Sequence, residues 1–181
     1  METIDEGYWR NGKGKASEWG SFPVFSVPNK NIPARNKKEN MWKRFEGLSF
    51  QTSTPHFEPR KNKGIHEDYS EVFLSHARIY TFADCYDISP LKELSLHKLQ
   101  QTLRVFTMYN ERIGDIVKLL QYCYENTADR NGRTDELRSL LTLYAACRVE
   151  ELWASSDFRA LIEAFGDFSK GLLEQLLQRL E

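Results

Sequence analysis

Gly7-Tyr-Trp-Arg-Asn-Gly12-Lys13 has the spacing of a phosphate-binding loop, in which glycine amides cradle phosphate oxygens and a lysine neutralises them. Gly14 follows where a Ser or Thr hydroxyl would have to reach the metal, and neither a strand before it nor a helix after it is predicted. Ser95-Leu-His-Lys98 has the Ser-x-x-Lys spacing by which a helix sets a lysine beside a nucleophilic serine, but no Ser-Asp-Asn or Lys-Thr-Gly companion occurs. It is a helix surface next to Leu94 and Leu99. His76 and His97 fall on predicted helices, where a metal would need a second ligand one turn away, and Tyr80 and Gln101 stand there instead. Both read as packed or interfacial histidines, and His56 and His66 belong to no constellation. Glu150 and Glu151 diverge on a helix and cannot form an acid–base pair. Asp84 reads as a structural group near a helix end and Asp87 as a turn residue. Cys85, Cys123 and Cys147 are far apart, which offers neither a disulfide framework nor a Cys-x-x-Cys site and fits a reducing, intracellular compartment, cytoplasm or nucleus. No catalytic, cofactor-binding or metal site emerges; an enzyme would have to be a helical one whose site these motifs do not reveal.

Lys30, Arg35, Lys37, Lys38, Lys43 and Arg44, interleaved with Trp42 and Phe45, form the other chemical candidate. Such a composition can attract phosphate backbones while rings stack on bases, which makes a nucleic-acid-associated protein the alternative function. The competing interpretation, favoured by the lack of a Cys/His finger or a heptad dimer, is an exposed lysine-rich linker.

The elements that must position these residues divide the chain near residue 66. Residues 1–66 carry 12 Lys+Arg against 7 Asp+Glu, a net of +5, and residues 67–181 carry 13 against 19, a net of −6. The first part holds five of the six prolines and is predicted to be a largely irregular arm, with helix confined to Glu39–Leu48 and a short edge strand at Phe22–Val27. Its many aromatics, Trp42, Phe45 and Phe50 among them, predict docking on a surface. From Asp68 the apolar period becomes helical. Val72, Phe73, His76, Ala77, Ile79, Tyr80 and Ala83 cover a wide, mostly buried face; Ser89 as N-cap and Pro90 at N1 open a helix to about Phe106. Further helices are predicted over 111–126, from Thr134 to about Ser155, from Ser156 or Asp157 to Phe165, and from Asp167 to the C-terminus. The fold class is therefore mainly α, a bundle of five to six helices over 67–181. No apolar run approaches the roughly 18 residues of a membrane helix.

Ala83-Asp84-x-Tyr86-x-Ile88-x-x-Leu91-Lys92, with Val72-Phe-Leu-Ser-His-Ala-Arg-Ile-Tyr before it and Glu93-Leu-Ser-Leu-His-Lys-Leu after it, resembles the junction of the last two helices of the BTB/POZ domain in proteins of filamentous fungi. The likeness covers roughly Met41 to Glu181, strongest over 67–126, and Cys85 departs from it where that family usually has Lys. The resemblance implies a terminal helix pair over 67–106 and a helical extension over 107–181. It implies a non-catalytic adaptor that holds other proteins, with cullin-type ubiquitin-ligase scaffolds or transcription-linked proteins as partners by family analogy. The strand, helix and small sheet that open a BTB domain have no counterpart before Trp42, so an N-terminally truncated form is expected and the family's usual dimer surface cannot be carried over. Without those elements the helix around Val72 to Ala83 lacks a partner on one face, and Phe73, His76 and Tyr80 are the expected interaction surface.

Overall fold

The computed structural model describes residues 34–50, 57–130 and 132–180, all within a compact unit spanning Ile32–Glu181. The Gly7–Lys13 loop, the Phe22–Val27 segment, Lys30 and His56 lie outside the described residues. Eight α-helices and no strand occur among those described: α1 (Ala34–Glu46), α2 (Ser70–Cys85), α3 (Ser89–Val105), α4 (Ile113–Asn126), α5 (Glu136–Cys147), α6 (Val149–Leu152), α7 (Ser156–Ala164) and α8 (Gly166–Leu180).

Helix α5 is the axis of the bundle. It is buried on nearly every side from Leu137 to Cys147 and touches α1, α3, α4 and α8. The α2–α3 hairpin packs beside it, α2 against α3 and α4 and α3 against α5, with Phe73, Ala77, Tyr80 and Ala83 buried on α2 and Leu96, Leu99 and Leu103 on α3. Near its open end Tyr69, Phe73 and Phe106 form an aromatic cluster with centroids 5.1 to 5.9 Å apart. Burying each such ring stabilises the fold by roughly 1.5–3 kcal/mol.

Four local features depart from the sequence prediction. Helix α1 starts before Glu39 and belongs to the core instead of an arm: Phe45 is fully buried, Met41 nearly so, and Gln100 donates from Nε2 to the Phe45 carbonyl at 2.8 Å. Its apolar residues Met41, Trp42 and Phe45 lie on one side of a helix that is otherwise polar, so a short stripe sufficed to dock it. Residues 57–66 are irregular as predicted, yet pinned. The buried Asn62 side chain donates to the Thr107 carbonyl and accepts from the Thr107 amide, at 2.8 and 2.7 Å, and Tyr69 Oη donates to the Arg60 carbonyl at 2.9 Å.

The predicted fourth helix is broken at Arg148, whose backbone stands at φ −116° and ψ 15°, so α5 ends at Cys147 and α6 forms one further turn; the Arg148 guanidinium lies 4.7 Å from the Trp42 ring centroid. The caps also sit one residue from their predicted places. Ile88, not Ser89, precedes α3; the Asp135 carboxylate accepts from the Leu137 and Arg138 amides at the start of α5; and Ser155 Oγ accepts from the Phe158 amide at the start of α7. Both side-chain caps satisfy amides that the first helical turn leaves orphaned.

Candidate interaction surface

Helix α2 carries two apolar stripes, and only one is used inside the molecule. At 100° per residue, Phe73, Ala77, Tyr80 and Ala83 share one face, which is buried. Val72, Ile79 and Phe82, with Tyr86 at the C-cap, lie on an adjoining face about 120° round the helix, at spacings of seven, three and four. They remain 40%, 41%, 52% and 65% exposed, and the Phe82 and Tyr86 rings rest against each other at 4.6 Å. Ile88, just beyond the helix, is also exposed. The exposed part of such an apolar cluster costs solvation that no internal contact offsets.

The surface expected from the sequence is thereby corrected. Phe73 and Tyr80 are in the core with at most 1% of their area exposed, so neither can contact a partner. Tyr80 Oη donates to Asp135 Oδ2 at 2.8 Å, and burial, reinforced by that carboxylate, pushes its hydroxyl pKa well above the ordinary range. His76 is half-buried at the margin, and burial, with Lys98 nearby, holds its imidazole below the usual value. The outer stripe was readable in the sequence as a second set at helical spacing. Assigning Val72 and Ile79 to one wide face with Phe73 hid it.

The motif residues behind the BTB resemblance hold the helix pair that presents this face. Lys92 Nζ on α3 lies 2.9 Å from Asp84 Oδ1 on α2 and 3.5 Å from Glu136, and sits 5.1 Å from the Tyr80 ring centroid. Burial would lower the Lys92 pKa, but the Asp84 hydrogen bond and the surrounding carboxylates outweigh it and raise the value. Arg130 pairs with the other Asp84 oxygen at 3.3 Å. Ala83 is fully buried, while Leu91 is half-buried beside the hairpin turn. The turn closes with Ile88 N–H to the Ala83 carbonyl at 2.8 Å and Asp87 N–H to the Asp84 carbonyl at 3.5 Å, with Asp87 at φ +55°. This is the Schellman pattern, with aspartate in the left-handed position that glycine usually takes. Asp84 and Lys92 are thus structural, and Tyr86 and Ile88 belong to the exposed patch.

The remaining chemical candidates are occupied by structural work. Ser95 is buried and its hydroxyl donates to the Lys92 carbonyl at 2.7 Å, while Lys98 lies over the Phe57 ring at 5.2 Å. Glu150 and Glu151 both face Lys38, at 3.2 and 3.6 Å, and Glu150 also binds Arg179. Burial pushes the Glu150 carboxyl up, but the Arg179 and Lys38 interactions prevail and hold its pKa at about 2. Phe45 is buried, Trp42 is half-buried with the Arg148 guanidinium 4.7 Å from its ring centroid, and Arg44 is exposed and donates to Gln175 and Gln178. Among the described residues no three His, Cys, Asp or Glu side chains converge as a metal site would require, and no helix is long and apolar enough to cross a membrane.

No family model matches the chain, and neither the curated proteins nor the solved structures yielded a match to it.

Proposed function

We propose that this chain is a non-catalytic protein-interaction module, an adaptor related to the back half of a BTB domain, that engages protein through the outward face of α2. The observation that carries this function is the stripe Val72, Ile79, Phe82 and Tyr86, apolar, exposed and rigidly presented by the Asp84–Lys92 tie. The four side chains expose roughly 400 Å², taking about 200 Å² for a whole aromatic side chain and somewhat less for an aliphatic one. That lies in the size range in which the largest patch of a monomer is often functional. The family analogy adds a cullin-type ligase scaffold or a transcription-linked protein as the class of partner.

The test compares the proteins retained by the wild type with those retained by Ile79→Glu and Phe82→Glu, using Leu173→Glu as a control on a different exposed apolar residue. Far-UV circular dichroism establishes that each variant folds. The expected result is that the same specific partners are lost from both α2 variants and kept by the control. Retention of every partner by both α2 variants overturns the proposal.

A further inference from the structure

We infer that the cleft between the N-terminal halves of α3 and α5 and the chain leaving α1 binds a small molecule that carries a primary ammonium on an apolar body. The cleft has a volume of about 420 Å³, within the range of small-molecule sites. Leu96 of α3 and Leu140 of α5, 2% and 3% exposed, form its apolar floor, and Leu48 and Phe50 line one side. That side is held in place: Gln100 Nε2 donates to the Leu48 carbonyl at 3.2 Å, and the Phe50 ring lies 6.1 Å from the His97 ring. Helical spacing sets polar groups beside the floor, since Glu93 precedes Leu96 by three residues and Glu136 precedes Leu140 by four.

The charged groups that line this cleft are both carboxylates. Glu93 is half-buried and has no ion pair or hydrogen bond among the described residues, and the Ser139 hydroxyl makes none there either. Glu136 stands at the mouth, its side chain 63% exposed and 3.5 Å from Lys92, which is itself tied to Asp84 at 2.9 Å. A carboxylate held against apolar walls without a counter-charge loses hydration that a cation inside the cleft restores. An ammonium has three N–H donors and no acceptor, which suits Glu93, Ser139 Oγ and Glu136, since each can accept. The four apolar side chains call for a body broader than a methylene stem, which favours an arylalkylamine over a lysine side chain.

A second cavity, of about 480 Å³ beside Trp42, lacks this selectivity. Lys38, Lys43 and Arg148 line it together with Glu39 and Glu46, so both signs of charge are present. It serves as the internal comparison for the amine site. No residue of α2 lines the amine cleft, so the site is separate from the face proposed to engage protein.

Phenethylamine, titrated into the whole chain and followed by amide chemical shifts, tests the site. The shifts should map to Glu93, Leu96, Ser139 and Leu140 and saturate with a dissociation constant of about 0.1–1 mM, within the range open to so small a ligand. Phenethyl alcohol and hydrocinnamate, which keep the ring and lose the ammonium, should bind at least ~10-fold more weakly. Glu93→Gln keeps the size of the side chain and removes its charge, and should weaken amine binding at least ~10-fold with unchanged circular dichroism. Ser139→Trp should abolish binding by filling the cleft. Shifts that fail to saturate, or that map to Trp42 and Arg148 instead, overturn the site. So does equal affinity for the alcohol, or undiminished amine binding by Glu93→Gln or Ser139→Trp. None of these outcomes touches the adaptor function, which falls only if the α2 variants keep every partner.

Discussion

The three cysteines have the same side chain and opposite surroundings. Cys85 is exposed at the end of α2, whereas Cys123 and Cys147 are sealed inside α4 and α5. Burial in apolar surroundings pushes both inner thiols up to about 12. A thiolate is the reactive form, so a thiol reagent at pH 8 should modify one cysteine of the native protein quickly and the other two only after denaturant is added. The same shifts fix a stability trend. The folded pKa lies above the unfolded one, so the stabilisation is complete below about pH 8.5 and is lost as pH rises towards 12, because the unfolded chain releases thiol protons that the native chain retains. The urea midpoint should therefore fall between pH 8 and pH 10, each inner thiol contributing up to ~1.4 kcal/mol per pH unit above its unfolded pKa. A flat profile over that range would contradict thiol burial. Their separation in the sequence excluded a disulfide framework, and residue types alone could not show that one of the three lies outside the core.

At the scale of elements, helix starts and stops decide which side chains face outward. The α2–α3 turn places Asp87 at φ +55°, a conformation in which the β-carbon crowds the following carbonyl. Asp87 is exposed, and its side chain has no hydrogen bond or ion pair among the described residues that a substitution would forfeit. Asp87→Gly removes the crowding and should raise stability by roughly 0.5–1 kcal/mol, reduced by glycine's larger unfolded-state entropy. Chemical denaturation of the pair measures it, and a lower midpoint for the glycine variant would show that the turn is not strained. The periodicity of 3.6 marked α2, α3, α4, α7 and α8 in the sequence because each has a continuous apolar stripe. It missed the break at Arg148, because Leu137 to Leu152 keep their period across it while the Arg148 backbone leaves the helical region, at φ −116° and ψ 15°. It also merged the two stripes of α2, since apolar residues on two faces of a helix look the same in one dimension whether a neighbour covers them or not.

For the whole molecule, the decisive difference lies in where the helical unit begins. Composition and charge change near residue 66, but the fold includes α1, because a net charge of +5 over residues 1–66 describes a surface whereas Met41 and Phe45 determine a core. Phe45 packs 5.3 Å from the Tyr144 ring on α5 and 5.2 Å from Trp42. The fully buried Gln100 donates to the carbonyls of Phe45 and Leu48, at 2.8 and 3.2 Å, where the end of α1 leaves acceptors without helical partners. Helix α1 is thus tied to α3 by hydrogen bonds and to α5 by aromatic packing. Phe45→Ala should cost about 3–5 kcal/mol, the usual range for deleting a buried ring, and should shift the whole unfolding transition. Coincident midpoints by tryptophan fluorescence, read in a background that keeps Trp42 and Trp153 and has Trp9 and Trp19 changed to Phe, and by far-UV circular dichroism, which samples every helix, are the expected result for the variant. If α1 were instead a segment resting on a core completed by residues 67–181, the fluorescence change would come first at low denaturant, and most of the helical signal would keep the midpoint of the wild type.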